Sequence, residues 1–247
     1  MPTFPVESRR PSISLPVDPG PRRRCVAWRL LLVWPALLLS AAAQSFVELD
    51  PPNTVVGYVA TLLINEVPFP GEKGYVSEQD TQAAMRQILW VLHCRLWMIP
   101  QGYRQEHVAG IRTSNVIDII TGGGGRQQCA GFYLTPQGQF TVEPRVLERI
   151  RYLMGIANRG SGPGRFCRLL TYGRNMSRSY LAQRTIEEAD RFATLYLVQQ
   201  IAVTGRAYSW MTDKDYYRPG GNFVTIPDAE DGSLGGNRFF TLRKAPK

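Results

Sequence analysis

The stretch Pro51-Pro52-Asn53-Thr54-Val55-Val56-Gly57-Tyr58-Val59-Ala60-Thr61-Leu62-Leu63-Ile64-Asn65-Glu66-Val67-Pro68-Phe69-Pro70 sets the frame for this 247-residue chain. Two prolines followed by Asn53 or Thr54 form a helix start, because a short polar side chain there can accept an orphan backbone N–H. Val55, Val56, Val59, Leu62 and Leu63 follow at helical spacing. Pro68 and Pro70 cannot continue the helix, so it must end near Val67. Glu66 falls three, four and seven positions after Leu63, Leu62 and Val59, and therefore ends the apolar stripe rather than facing away from it. Apolar neighbours and the negative end of the helix dipole both disfavour a charged carboxyl group. The position thus predicts a carboxyl that keeps its proton near neutral pH, as a general acid must. It equally fits an end-of-helix side chain whose head swings into water or pairs with Arg95. Glu72, in the Pro-Gly loop that follows, can line the same cleft, whereas Glu78 and Asp80 read as first-turn helix acids.

Working outward, Ser77-Glu78-Gln79-Asp80 resembles a capping box, with Asp in place of the usual Glu. The helix behind it carries Met85, Ile88, Leu89, Leu92 and Leu96 on one stripe, and Pro100-Gln101-Gly102 closes it. A short helix around Thr113 to Thr121 ends in Gly122–Gly125, a flexible loop that lacks the Lys-Ser/Thr of a phosphate loop. Glu143-Pro144 opens another helix with the stripe Val146, Ile150, Leu153 and Ala157, and Arg145, Arg149 and Arg151 read as its solvated side. Gly160 to Gly164 breaks the chain, and Thr185 to Val203 reads as a long amphipathic helix capped by Thr185 with Glu188 three on. Asn222 to Ile226 and Arg238 to Leu242 read as two strands joined at Asp231-Gly232. The fold class is therefore mostly α (α+β), with a small C-terminal β-hairpin.

Composition narrows the function classes. The apolar fraction is 44% and no apolar run reaches the length of a membrane span, so the chain builds a core. Two histidines, His93 and His107, make a His-rich metal site improbable, and neither a metal nor another cofactor is expected. The formal net charge is +9, but residues 1–44 hold six Arg and two acids, which leaves 23 basic and 18 acidic residues, or +5, in the body. That excess suits an anionic partner without choosing one. Residues 1–44 read as a leader with a secretion signal: Arg22-Arg23-Arg24, an apolar run from Leu30 to Leu39 broken by Pro35, and Ser40-Ala41-Ala42-Ala43-Gln44 with the cut after Ala43. An uncleaved anchor is the rival reading, and would be the chain's sole membrane contact. Residues 45–247 then form a single exported domain, in the periplasm or cell envelope. Cys94, Cys129 and Cys167 in that space allow at most one bridge, and no CxxC spacing exists.

Asn65-Glu66, then Gly71-Glu72, then an apolar helix ending in Leu92-His93-Cys94-Arg95, resembles the SleB-type cell wall hydrolases, lytic transglycosylase-like enzymes that cleave peptidoglycan glycan strands. Gln127-Gln128-Cys129-Ala130-Gly131-Phe132-Tyr133 is similar to a downstream Gln-aromatic segment of that family, and Gly236-Asn237-Arg238-Phe239-Phe240 to its closing strand. The likeness covers about half of residues 45–247. It departs from the family in the longer, two-proline loop between the glutamates and in His93-Cys94 before Arg95. The resemblance implies a compact lysozyme-like helical domain that cuts between N-acetylmuramic acid and N-acetylglucosamine, with Glu66 as acid and then base. It implies Glu72, Tyr75, Arg95, Phe132 and Tyr133 as substrate-binding residues, the aromatics as sugar-stacking groups, and peptidoglycan glycan strands as partner; a core role for the three aromatics and a structural ion pair for Arg95 fit the residues at least as well. Two other readings fit the charge and the signal: a non-catalytic exported envelope or glycan-binding domain, and a nucleic-acid binder, which predicts a basic stripe interleaved with aromatics. The chain offers no such stripe beyond Arg145, Arg149 and Arg151, so no nucleic-acid partner is expected.

Overall fold

A computed structural model describes residues 47–124, 128–159, 162–198, 206–212, 219–228 and 230–244. The leader and secretion signal, Gly125, Gln127, Gly160 and the 199–203 end of the long helix lie outside the described residues. Among the described residues no helix is long and apolar enough to cross a membrane.

Helix α1 runs Val55–Asn65, and Thr54 caps it by accepting the Gly57 N–H on its hydroxyl at 3.1 Å. Every residue from Gly57 to Ile64 is buried, so α1 is a central helix covered all round, not a helix with one buried stripe. Helix α2, Glu78–Trp97, lies against it and buries the whole predicted stripe together with Trp90, Val91 and Cys94. Ser77 caps α2 through the Asp80 N–H at 3.1 Å, but the Asp80 carboxylate takes the Ser77 hydroxyl at 2.6 Å rather than closing a capping box on the Ser77 backbone. Short helices α3, Gln105–Ala109, and α4, Val116–Thr121, follow; α4 ends at Gly122, which with Gly123 takes the left-handed backbone conformation that turns the chain.

Strands β1, Phe132–Leu134, and β2, Phe140–Val142, make an antiparallel hairpin that the sequence reading did not anticipate, with Phe132 opposite Val142. Tyr58 of α1 holds it: its ring meets Phe132 and Phe140 edge-on at 5.2 and 5.0 Å, and its hydroxyl donates to the Thr141 carbonyl at 3.2 Å. Helix α5, Pro144–Ala157, buries Val146, Ile150 and Leu153 as expected. Helix α6, Arg165–Leu181, carried no expectation, because its buried face mixes Leu169 and Leu170 with Gly173 and Ser177. The two small residues let it lie close to α1. A Cβ on Gly173 would sit 3.0 Å from Ile64 Cγ1, and the Ser177 hydroxyl donates to the Val56 carbonyl at 2.7 Å.

Helix α7, Ile186–Phe192, starts at Thr185 as predicted but is regular only to Phe192, and continues as a π turn over Ala193–Val198. The C-terminal sheet is larger than the predicted hairpin. Strand β6, Asn237–Leu242, pairs antiparallel with β3, Ser209–Thr212, on one side and with β4, Phe223–Thr225, on the other, while the short β5, Ser233–Leu234, also pairs with it. The tight turn of this element is Gly235-Gly236, both at positive φ, between Leu234 and its partner Asn237. Asp231-Gly232, expected to join the strands, is a separate turn with its Gly232 N–H held by Asp228 Oδ1 at 2.8 Å.

Gly57 seats the start of α1 on the preceding segment, since a Cβ there would collide with the Pro51 carbonyl. Gly57→Ala is expected to destabilise the fold by about 1–3 kcal/mol, the usual cost of overpacking, read as a lower urea midpoint. A change under about 0.5 kcal/mol, the scale of an ordinary surface substitution, would show that this contact does not constrain the helix.

Candidate functional site

The end of α1 opens onto a cleft of about 940 Å³. Its floor is Asn65-Glu66-Val67. One wall is the loop from Pro68 to Gly74, and the others come from α5, the end of β3 and the tip of the Gly235-Gly236 turn. Glu66 is the C-cap of α1, half-buried, with backbone in the right-handed helical region and its N–H still bonded to the Leu62 carbonyl at 3.0 Å. Trp210 of β3 donates its indole N–H to Glu66 Oε2 at 3.0 Å, and Asn65 Nδ2 reaches Oε1 at 3.3 Å. Asn237, fully buried on β6, donates its amide to the Glu66 backbone carbonyl at 2.8 Å. The sheet therefore grips both ends of this residue. An indole is a donor only, so the carboxyl group is aimed while remaining able to exchange a proton with a ligand in the cleft.

Glu72 also lines the cleft, but it is committed elsewhere. Arg149 meets it with two hydrogen bonds, Nε to Oε1 at 3.1 Å and Nη2 to Oε2 at 2.6 Å, and Oε2 also accepts the Phe69 N–H at 2.8 Å. Arg149 is not on a solvated helix face as predicted. It lies between Val146 and Leu153 in the spacing of the buried stripe, its side chain 24% exposed, with its guanidinium 5.7 Å from the Phe69 ring centroid. The signal was present in the sequence: an arginine in the register of an apolar stripe, the same signal that singles out Glu66.

The remaining expected ligand-binding residues do not line the cleft. Phe132 is fully buried against Tyr58, because its strand alternates inward and outward and Phe132 points in, so it cannot stack on a sugar. Tyr133 points out and is exposed, on the strand beyond the cleft wall. Tyr75 is half-buried and packed on the core. Arg95 is buried; its Nε donates to the Tyr208 carbonyl at 2.7 Å and its guanidinium lies 5.7 Å from the centroid of the Trp210 ring, whose indole N–H holds Glu66. Burial pulls its pKa below the usual arginine value. Nothing in local sequence links Trp210 or Asn237 to Glu66, since each follows it by well over a hundred residues and is brought to it by sheet pairing.

Among the described residues Lys73, Arg145 and Arg149 line the cleft with Glu66 and Glu72; Arg149 is paired with Glu72, and Arg145 with Glu143 at 2.6 Å. No family model, no characterised protein and no solved structure matches the chain.

The three described cysteines are all reduced and buried. Burial pushes the Cys94 and Cys129 thiols well above the ordinary thiol range, and the Glu66 carboxylate adds to the shift at Cys129. Thiolate is the reactive form, so native protein at pH 8 is expected to leave both unmodified by iodoacetamide, with full modification in denaturant. Peptide mass mapping reads this directly, and rapid native labelling of Cys129 would contradict a closed wall behind Glu66.

Proposed function

We propose that this chain is an exported peptidoglycan-cleaving enzyme that cuts the bond between N-acetylmuramic acid and N-acetylglucosamine with Glu66 as its one acid–base group. The observation that carries the reading is that Glu66 faces an open cleft while Glu72, the other carboxylate lining it among the described residues, is held by Arg149. A two-carboxyl hydrolase needs its second acid free to activate water or attack the sugar. The one-carboxyl route does not. In that route the Glu66 carboxylic acid gives its proton to the glycosidic oxygen as the bond to C1 breaks. The resulting carboxylate takes the proton from the muramoyl 6-hydroxyl, whose oxygen closes on C1 to give an anhydro sugar. Glu66 ends the cycle protonated, and no water is consumed.

A central helix that delivers an acid from its C-terminal end into a groove fits the lysozyme-like reading of the helical body. Lys73 on the loop wall suits a polymer carrying carboxylates. Secretion to the periplasm or cell envelope belongs to the same proposal, since the substrate lies there.

Incubation with purified sacculi, followed by mass analysis of soluble fragments, tests it. Wild-type protein is expected to release fragments with anhydro ends. Glu66→Gln should lower the rate by about 10²–10⁴-fold, the range of general acid–base catalysis, and keep sacculus binding. Glu72→Gln should stay within about tenfold, because the amide oxygen can still accept from Arg149 Nη2 and the Phe69 N–H while only the Oε1 bond is lost. Equal loss in both variants, with reducing ends, would replace this mechanism with a two-carboxyl hydrolase. Binding without any fragments would replace the enzyme with a glycan-binding domain.

A further inference from the structure

Arg149 is bonded to more of the Glu66 turn than to the glutamate that pairs with it. Its Nη1 donates to the Ile64 carbonyl at 2.9 Å and lies 3.4 Å from the Asn65 carbonyl, and its Nη2 donates to the Val67 carbonyl at 3.0 Å. These carbonyls flank Glu66 on both sides. The Ile64 and Asn65 carbonyls are left without helical partners when α1 stops, at the end where the helix dipole is negative, and Val67 lies just beyond the helix. Helix α1 has no basic residue in its own last turn to meet them. The cation comes instead from α5. On its other edge the same guanidinium holds Glu72, whose Oε2 in turn accepts the Phe69 N–H. One planar group thus ties residues 64–67 to residues 69–72, the floor of the cleft to its loop wall.

We propose that Arg149 is the positioning residue of the Glu66 site: it fixes the backbone on either side of Glu66, and so the direction of the carboxyl group, without touching the substrate bond itself. Only a planar fork can do this, because a lysine ammonium is a point donor and cannot span two carbonyls and a carboxylate at once. A displacement of the acid by about 1 Å is enough to cost on the order of 10²-fold in rate. The kinetic part of the proposal rests on the peptidoglycan reading. The geometric part does not, because Trp210 reports it independently through its bond to Glu66.

The experiment therefore pairs two readouts on Arg149→Ala, Arg149→Lys and Glu72→Gln. The first is the Trp210 indole N–H resonance in ¹⁵N NMR, assigned by its disappearance in Trp210→Phe. The second is the rate of anhydro fragment release as a function of sacculus concentration. Arg149→Ala and Arg149→Lys are expected to shift the resonance and to lower kcat by about 10–100-fold, with KM within about threefold, while Glu72→Gln shifts it less and in the same direction. Folded variants with an unmoved resonance and a kcat within twofold of wild type overturn the proposal. A rise in KM with unchanged kcat overturns it too, because that marks a substrate-binding residue. If Arg149→Ala does not fold, the resonance in Arg149→Lys and Glu72→Gln decides in the same way. If wild-type protein releases no fragments yet the resonance still moves, the glycan reading falls and the positioning role stands.

Discussion

The end of α1 is stabilised from outside itself. An apolar helix that stops in the middle of a protein leaves carbonyls pointing at the space beyond its last turn, and those groups need donors. Here a guanidinium from α5 supplies them and takes its counter-charge from Glu72. Desolvating a charged pair is costly unless its remaining hydrogen-bonding capacity is filled. That capacity is filled, by three carbonyls on the Arg149 side and a backbone N–H on the Glu72 side. The same arrangement ties the 66–74 loop to α5 at Val67 and at Glu72, beside the cleft.

The sheet supplies the other half of the constraint. Strand β6 carries Asn237 to the Glu66 carbonyl, and β3 carries Trp210 to its carboxyl group. Because β3 and β6 are adjacent, with Trp210 opposite Phe239, these two grips move as a unit. Behind them the buried Arg95 guanidinium lies beside the Trp210 ring, where the negative face of an indole stabilises a cation. At the turn, glycine is required twice. Gly235 and Gly236 take positive φ, and a Cβ on Gly236 would run into Pro68 of the loop wall. The hairpin tip and the loop therefore close one side of the cleft backbone to backbone, leaving side chains to line the rest.

Helix starts were legible wherever a cap and an apolar period coincided, as at Thr54, Ser77, Pro144 and Thr185. Helix α6 was not, because two positions of its buried face are Gly173 and Ser177, chosen for close approach to α1 rather than for apolarity. Glu66 was legible as a carboxylate in an apolar register. Arg149 obeys the same rule, and reading all three α5 arginines as one solvated group concealed it. Phe132 shows the opposite failure: its place in a segment similar to a Gln-aromatic motif suggested a sugar contact, but strand alternation turns its ring into the core.

The sequence by itself determined where α1 begins, that it must stop before Pro68, and that a carboxyl group stands at that end among apolar neighbours. Those follow from local chemistry: caps, proline and the helical period act over a few residues. Tertiary structure alone decided which groups meet that carboxyl and which do not. Trp210, Asn237 and Arg149 come from segments 83 to 171 residues away from the turn they hold, and Glu72 from only six residues on is turned aside by one of them. A hydrogen bond depends on distance and angle in space, and nothing in local sequence encodes which distant strand or helix will provide its partner.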